Sequence, residues 1–287
     1  MLAICLLLTS CEKFVLDDTM SGGKEEACNV VLQVGNYVQE DFDTQSTQAS
    51  RSMQPISKIC SKLSCTFFDG ETKVKNMKQS IDEEGFGTIK TSLPKGDYQV
   101  VVIANNGSSP ATISTTEKVT FTNNKLSDTF YYYGTLSVGD KEVTEDISLK
   151  RIVAMFRLNI KGNIPASAKK IKFYYTGGSS TFNPSTGYGC VNSRQTEIFD
   201  LKDGQNVYEV YSFPHEESDA LKMTITVLNG NEEELLHKEL TNVPIKINHI
   251  TSWTTELFSN VPDTGNTSNE YTLQADDEWD STITFTP

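Results

Sequence analysis

Residues 145–161 have the sequence EDISLKRIVAMFRLNIK, in which apolar residues alternate in two different registers. Its first part places Ile147 and Leu149 on one face of an extended chain, since side chains two positions apart share a face of a strand. Its second part places apolar side chains on the opposite face, at Ile152, Ala154, Phe156, Leu158 and Ile160. The alternation therefore slips by one position near Lys150 and Arg151. We expect a β-bulge there, or a strand that leaves one sheet and enters another.

The rest of the chain shows the same period of two, interrupted by turn residues. Alternating apolar residues at Leu221, Met223, Ile225 and Val227 predict a strand with one buried face. Asn229-Gly230 follows and is typical of a tight hairpin, so residues 234–240 should return beside that strand. Residues 97–104 and 170–175 are predicted to be central strands. Apolar stripes of helical period longer than two turns are absent from the sequence. This pattern predicts an all-β fold built from β-sandwiches.

The N-terminus has the features of an export signal. Residues 1–8 (MLAICLLL) form an apolar run that is too short to span a bilayer, which needs roughly twenty residues. Leu8-Thr9-Ser10-Cys11 follows it and resembles a bacterial lipobox, in which the cysteine is acylated and becomes the new N-terminus. We therefore predict that Cys11 is the lipid attachment site and that the lipid holds the protein on a membrane.

Length and composition suggest how the remaining chain is divided. The stretch behind Cys11 is polar and acidic, and it cannot bury enough apolar surface to fold by itself. About 260 residues follow it, which favours two domains of ordinary size. We predict a signal peptide over residues 1–10, a lipidated flexible tether over 11–27, a first β-sandwich over 28–144 and a second over 145–287.

Charge and cysteine content restrict the partners and the chemistry. The net charge of −13 argues against nucleic acid as a partner, because phosphates need a basic surface. Cys28, Cys60, Cys65 and Cys190 show no metal-binding spacing. In an exported protein Cys28 could pair with Cys60 or Cys65, and four separate thiols fit the sequence equally well.

Nothing in the sequence indicates an enzyme or a cofactor. His215, His237 and His249 are isolated from one another and from cysteines, so neither a zinc site nor a histidine-based nucleophile is indicated. Glycine-rich phosphate loops are missing as well. We predict a protein without catalytic residues, metal or cofactor.

Four segments together resemble a known family. They are residues 93–98 (LPKGDY), 149–154 (LKRIVA), 242–248 (NVPIKIN) with Ile250-Thr251, and 277–280 (DEWD). In this order, behind a lipobox, they resemble the FimB-like minor fimbrial subunits of Bacteroidales. The resemblance covers nearly the whole chain.

The resemblance implies both a fold and a role. The fold would be two transthyretin-like β-sandwiches in tandem, and the role that of a lipid-anchored outer-membrane subunit on the cell surface that anchors or terminates a pilus. Asp18-Thr19-Met20 resembles the O-glycosylation acceptor of Bacteroidales exported proteins, so Thr19 is a candidate site; an intact mass without a glycan at Thr19 would contradict it. As an anchor, the chain is expected to stay uncut at Arg51, in the polar stretch 44–52.

The C-terminus is the candidate contact to other fimbrial subunits. The residues concerned are Ser281, Thr282, Ile283, Thr284, Phe285 and Thr286, an uncharged and strongly β-forming run. Such a strand, or the edge it covers, can join a neighbour by strand addition, and it can equally complete its own sandwich.

A surface lipoprotein that binds a glycan or another ligand is the alternative function. Its expected signature is exposed aromatic rings beside polar groups. Trp253 and Trp279 both lie in segments that alternate like core strands. Tyr131, Tyr132 and Tyr133 must place at least one ring on each face of a strand.

Overall fold

The secondary structure is β throughout, apart from two turns of 3-10 helix, Ile56–Lys58 and Thr122–Asn124, in the part of the chain that the structure describes. The structure is a computed structural model, and it describes residues 28–39, 51–218, 220–259, 271–274 and 284–285. The all-β prediction is therefore confirmed.

The N-terminal half is defined here by its strands β1 to β11. They are β1 (Val30–Gln39), β2 (Arg51–Pro55), β3 (Lys62–Asp69), β4 (Thr72–Ser80), β5 (Thr88–Thr91), β6 (Gly96–Asn105), β7 (Thr112–Thr115), β8 (Lys118–Thr120), β9 (Thr129–Val138), β10 (Val143–Ser148) and β11 (Lys150–Arg151).

The C-terminal half is defined by the strands that follow. They are β12 (Ala154–Ile160), β13 (Lys170–Thr176), β14 (Phe182–Asn183), β15 (Tyr188–Gly189), β16 (Gln195–Asp200), β17 (Val207–Ser212), β18 (Ala220–Leu228), β19 (Glu234–Pro244), β20 (Ile250–Thr255), β21 (Tyr271–Gln274) and β22 (Thr284–Phe285).

Two sheets form the sandwich of the N-terminal half. One has the order β10-β1-β2, with β5 also paired to β1, and the other has the order β11-β9-β6-β3-β4. Alternate residues of each sheet meet in a shared core, among them Leu32 of β1, Phe67 of β3 and Val102 of β6. The predicted central strand at residues 97–104 is β6, which lies in the middle of its sheet.

The C-terminal half repeats this arrangement. Its sheets have the orders β17-β12-β20-β21-β22 and β16-β13-β18-β19, and Phe156, Phe173 and Ile225 are fully buried in the core of this half. Residues 170–175 fall in β13, an inner strand, as predicted.

The phase slip in residues 145–161 is the place where the chain changes sheets. Leu149 belongs to the core of the N-terminal half, whereas Phe156 belongs to that of the C-terminal half. Arg151 still pairs with Phe130 of β9, and Ala154 already pairs with Ser212 of β17. The predicted sheet crossing at Arg151 is thus observed. β10 pairs in parallel with β1, and a division of the chain at residue 144 stays a prediction.

The hairpin between β18 and β19 differs from the expected one. Leu228 pairs with Glu234, so five residues, 229–233, form the connection instead of two. The side-chain oxygen of Asn229 accepts hydrogen bonds from the backbone nitrogens of Asn231 and Glu233, both at 2.9 Å. This Asx-type capping favours a wider loop, and the positive φ falls on Glu232 at 64°. The predicted return of residues 234–240 beside β18 is confirmed, whereas the prediction of a tight turn at Asn229-Gly230 is wrong.

Residues 44–50 of the polar stretch 44–52 lie outside the described residues. Arg51 and Ser52 lie in β2, where their backbones pair with Gln39 and Val38 of β1.

Candidate functional site at the joint between the halves

A third hydrophobic core lies between the two sandwiches. The N-terminal half, the connector and the C-terminal half all contribute to it, and each buried member is at most 6% exposed. Its buried members are Phe68, Val101, Ile103, Ala111, Ile113, Val119, Phe121, Ile152, Val153, Met155, Phe182, Phe213 and Ile250. We call this set the joint core. Burial on this scale resists separation of the halves, because separating them would expose these side chains to water.

A small sheet crosses the joint and shows how closely the halves are interlocked. It has the order β15-β14-β8-β7, so two strands come from each half, and Val119 of β8 pairs with Phe182 of β14. The Phe182 ring lies 5.0 Å from Tyr131 and 5.3 Å from Phe213, measured between ring centroids. Edge and tilted contacts of this kind add to the stabilisation from burial alone.

Arg151 makes the polar contact at the centre of the joint. Its Nε and Nη2 donate to the Oδ1 and Oδ2 atoms of Asp128 at 2.7 and 2.9 Å, and its Nη1 donates to Asn248 Oδ1 at 3.1 Å. The guanidinium carbon also lies 4.6 Å from the ring centroid of Phe130. Only a guanidinium presents donors in a planar fork that matches a carboxylate and stacks on an aromatic face. The Arg151 side chain is 4% exposed. We call Arg151, Asp128 and Asn248 the arginine lock.

Asn248 connects the arginine lock to the first strand of the C-terminal half. It precedes β20 and has a φ of 59°, a conformation that asparagine adopts more readily than most residues. Its backbone nitrogen donates to the Val153 oxygen at 2.9 Å, and the Met155 nitrogen donates to the His249 oxygen at 3.1 Å. Asn248 therefore forms hydrogen bonds both with Arg151 of the N-terminal half and with Val153, which directly precedes β12.

A second ion pair across the joint is more exposed. Lys125 Nζ of the N-terminal half lies 2.7 Å from Glu197 Oε2 on β16 and also donates to the Thr196 carbonyl oxygen. The Lys125 side chain is 50% exposed. Water screens such a pair, so we expect it to contribute little.

The described cysteines are free thiols, namely Cys28, Cys60, Cys65 and Cys190. Cys60 and Cys65 are buried, and burial raises the pKa of both thiols far above the usual range. They are therefore core residues with little thiolate character.

Most of the site residues expected from the sequence lie outside the described residues. This holds for Cys11, Thr19 and Trp279, and for residues 281–283 and 286. Thr284 and Phe285 form β22, which pairs with β21 at the edge of its sheet. The strand addition expected of residues 281–286 stays a prediction.

The described aromatic residues that are considered as ligand-binding candidates pack on the hydrophobic cores. Trp253 is 4% exposed in the C-terminal core. Tyr131 and Tyr133 pack on the joint core and Tyr132 on the N-terminal core, so rings lie on both faces of β9. Within the described ranges, no group of three or more His, Cys, Asp or Glu residues could hold a metal ion. Among the described residues, no helical segment has the length and apolar character that a membrane span requires.

Replacing Arg151 by Met should destabilise the protein by about 3–5 kcal/mol, because Asp128 would keep a partly buried charge without its bidentate partner. Arg157→Met is the matched control. Arg157 pairs with Glu209 at 2.8 Å on a more exposed surface, and its loss should cost about 0–1 kcal/mol. The measurement is chemical denaturation of both variants and the unsubstituted protein. Equal losses in the two variants would contradict a special role for the arginine lock.

Comparison with known proteins supports both the fold and a family. A family model described as "Mfa2: Fimbrillin-A associated anchor proteins Mfa1 and Mfa2" matches residues 27–287. None of the curated proteins matches the sequence.

Three solved structures that are similar to this chain come from Bacteroides and Parabacteroides. A candidate polysaccharide-binding protein from Bacteroides thetaiotaomicron is 10% identical with a TM-score of 0.50, covering 90% of this chain and 98% of that chain. A candidate adhesin from Bacteroides ovatus is 16% identical with a TM-score of 0.46, covering 91% and 100%. A fimbrial assembly protein from Parabacteroides distasonis is 12% identical with a TM-score of 0.42, covering 89% and 97%. At such identities the first of these shows a shared fold alone.

The family match spans both sandwiches, the joint core and the arginine lock. The chain belongs to the family of fimbrillin-A associated anchor proteins Mfa1 and Mfa2.

Proposed function

We propose that this protein is a lipid-anchored subunit of the outer-membrane surface that anchors or terminates a pilus and contributes to adhesion. The observation that carries the proposal is the match to the anchor family over residues 27–287. In finer terms, we propose a FimB-like minor subunit with two transthyretin-like sandwiches, held through a lipid on Cys11. The family description names fimbrillin partners, and we propose other fimbrial subunits as partners of this chain.

The strand pairing suits a protein that carries tension. An anchor is pulled at its lipid in one direction and at its filament in the other. β1 follows the predicted tether and pairs in parallel with β10 over six residue pairs, from Val30 with Val143 to Gly35 with Ser148. β10 leads through Arg151 into β12, which again pairs in parallel with β20. Pulling β1 and β10 apart along their axes loads all these hydrogen bonds together, so they resist as a group.

The glycan-binding alternative has less support in the described residues. Among the large apolar side chains that are exposed in the described residues, one is aromatic, namely Tyr174 at 38% exposure. Trp253 is buried. A single ring on a sheet face does not form the expected aromatic platform.

Replacing Cys11 by Ala should release the protein from the membrane, because no acyl chain could then be attached at the lipobox. The measurement is fractionation of cells that express the Cys11→Ala protein, with Cys28→Ala as the matched control. Membrane partitioning of the Cys11→Ala protein equal to that of the control would show that the anchor is elsewhere.

Deleting residues 280–287 should leave a folded, membrane-bound protein that no longer retains filaments on the cell. The deletion removes β22 and the strand proposed to join the next subunit. Electron microscopy of cells gives the readout, and the matched control is a full-length protein in which Thr282 and Thr286 are replaced by Ser. Normal filament retention by the folded, truncated protein would exclude this strand as the contact.

A further inference from the structure

Strand β4 presents a long free edge. It ends the sheet β11-β9-β6-β3-β4 and pairs with β3 on one side. All nine of its residues are exposed or half-buried. On its other side no strand of the described ranges pairs with it, so backbone groups are available for an incoming strand.

The charge of β4 is opposite to that of the chain as a whole. Lys73, Lys75 and Lys78 lie in β4 without a carboxylate, in a protein of net charge −13. Lys73 is engaged within the fold, since its Nζ donates to the Ile113 oxygen at 2.5 Å. Lys75 and Lys78 have no hydrogen-bonded or ion-paired partner among the described residues. Their charges are therefore free to meet a partner.

The two free lysines flank the edge on opposite faces. Lys75 lies opposite Phe67 and Lys78 opposite Ser64 in the pairing with β3. Three positions separate them, so their side chains point to opposite sides of the sheet. Val74 is 40% exposed and adds an apolar contact at the same edge. A strand that paired here would meet one ammonium group on each face.

We propose that the free edge of β4 accepts an extended, acidic segment of a neighbouring fimbrial subunit. Main-chain hydrogen bonds supply the affinity in such strand addition, while the side chains select the partner and its register. Carboxylates opposite Lys75 and Lys78 are attracted and like charges are repelled, which excludes basic strands. This inference rests on the fimbrial function proposed above and names a second contact, distinct from the C-terminal strand.

Lysines at a sheet edge have another common role, which is to prevent edges of identical chains from pairing. The two roles predict opposite results when the charges are removed. If the lysines only protect the edge, copies of an uncharged variant associate with each other. If they receive an acidic strand, the uncharged variant stays monomeric and loses its partner.

The first experiment reverses the charges in the full-length protein in its native cell. The Lys75→Glu/Lys78→Glu variant should retain roughly tenfold fewer filaments per cell, because two attractions become repulsions. Lys161→Glu/Lys202→Glu is the matched control, since both lysines are exposed and lie outside the edge strands. Wild-type retention by the β4 variant, or an equal loss in the control, would overturn the proposal.

A strain without the protein separates this inference from the proposed function. If that strain keeps its filaments, the anchoring function itself is wrong. If it loses them while the Lys75→Glu/Lys78→Glu strain keeps them, only the role of β4 is wrong.

The second experiment leaves both lysines in place, and its result does not depend on a change in the stability of the protein. A photoreactive amino acid at Val74 should crosslink to a fimbrial subunit, and mass spectrometry should locate the crosslink in a segment of net negative charge. The matched control is the same amino acid at Ile198, which is 54% exposed on β16 and should give no such crosslink. A crosslink to a basic segment, to another copy of this chain alone, or equally from both positions would overturn the proposal.

The third experiment tests the protective role directly. The full-length Lys75→Gln/Lys78→Gln protein is analysed by sedimentation beside the unsubstituted protein. We expect both to sediment alike, and self-association of the glutamine variant would overturn the proposal in favour of edge protection.

Discussion

The buried contact of Arg151 with Asp128 determines how the two halves of the protein are joined. A guanidinium at 4% exposure is stable only where its donors are satisfied, because an unpaired charge of this kind costs several kcal/mol. Asp128 and Asn248 come from opposite sides of the joint, so satisfying Arg151 fixes one half against the other. The chain can then pass from β11 to β12 within three residues and keep its side chains buried on both sides of the crossing.

The joint core makes the arginine lock possible. Phe121 and Phe213 approach to 5.5 Å between centroids, one from each half, and help to seal the region from water. The arginine lock fixes the orientation of the two halves, because its hydrogen bonds have a single geometry. The apolar contacts of the joint core contribute most of the attraction between the halves. Together they explain how the two sandwiches hold together as one unit.

Local patterning predicted the strands but not their long-range partners. The period of two predicted β6, β13, β18 and the crossing at Arg151, because a strand that is buried on one face has apolar residues at every second position of the sequence. Asp128 lies 23 positions before Arg151, and Phe182 meets Tyr131 only through the tertiary fold, so no spacing rule could find either contact. The prediction of a tight turn at Asn229-Gly230 was wrong for a different reason. A hydrogen bond to the Asn229 side chain outweighed the preference of the Asn-Gly pair for a two-residue turn. The predicted lipid site at Cys11 rests on a processing motif, which folding physics does not address, and it stays a prediction.

The two halves form one rigid unit through the joint core and the arginine lock. Spin labels carried by unnatural amino acids at Val74 in β4 and at Ile198 in β16 would measure the distance between the halves and leave the described thiols untouched. We expect one narrow distance distribution for the unsubstituted protein, and a broad one when Arg151→Met is combined with Phe182→Ala. A broad or multiple distribution in the unsubstituted protein would show instead that the halves move independently and that the joint is not rigid.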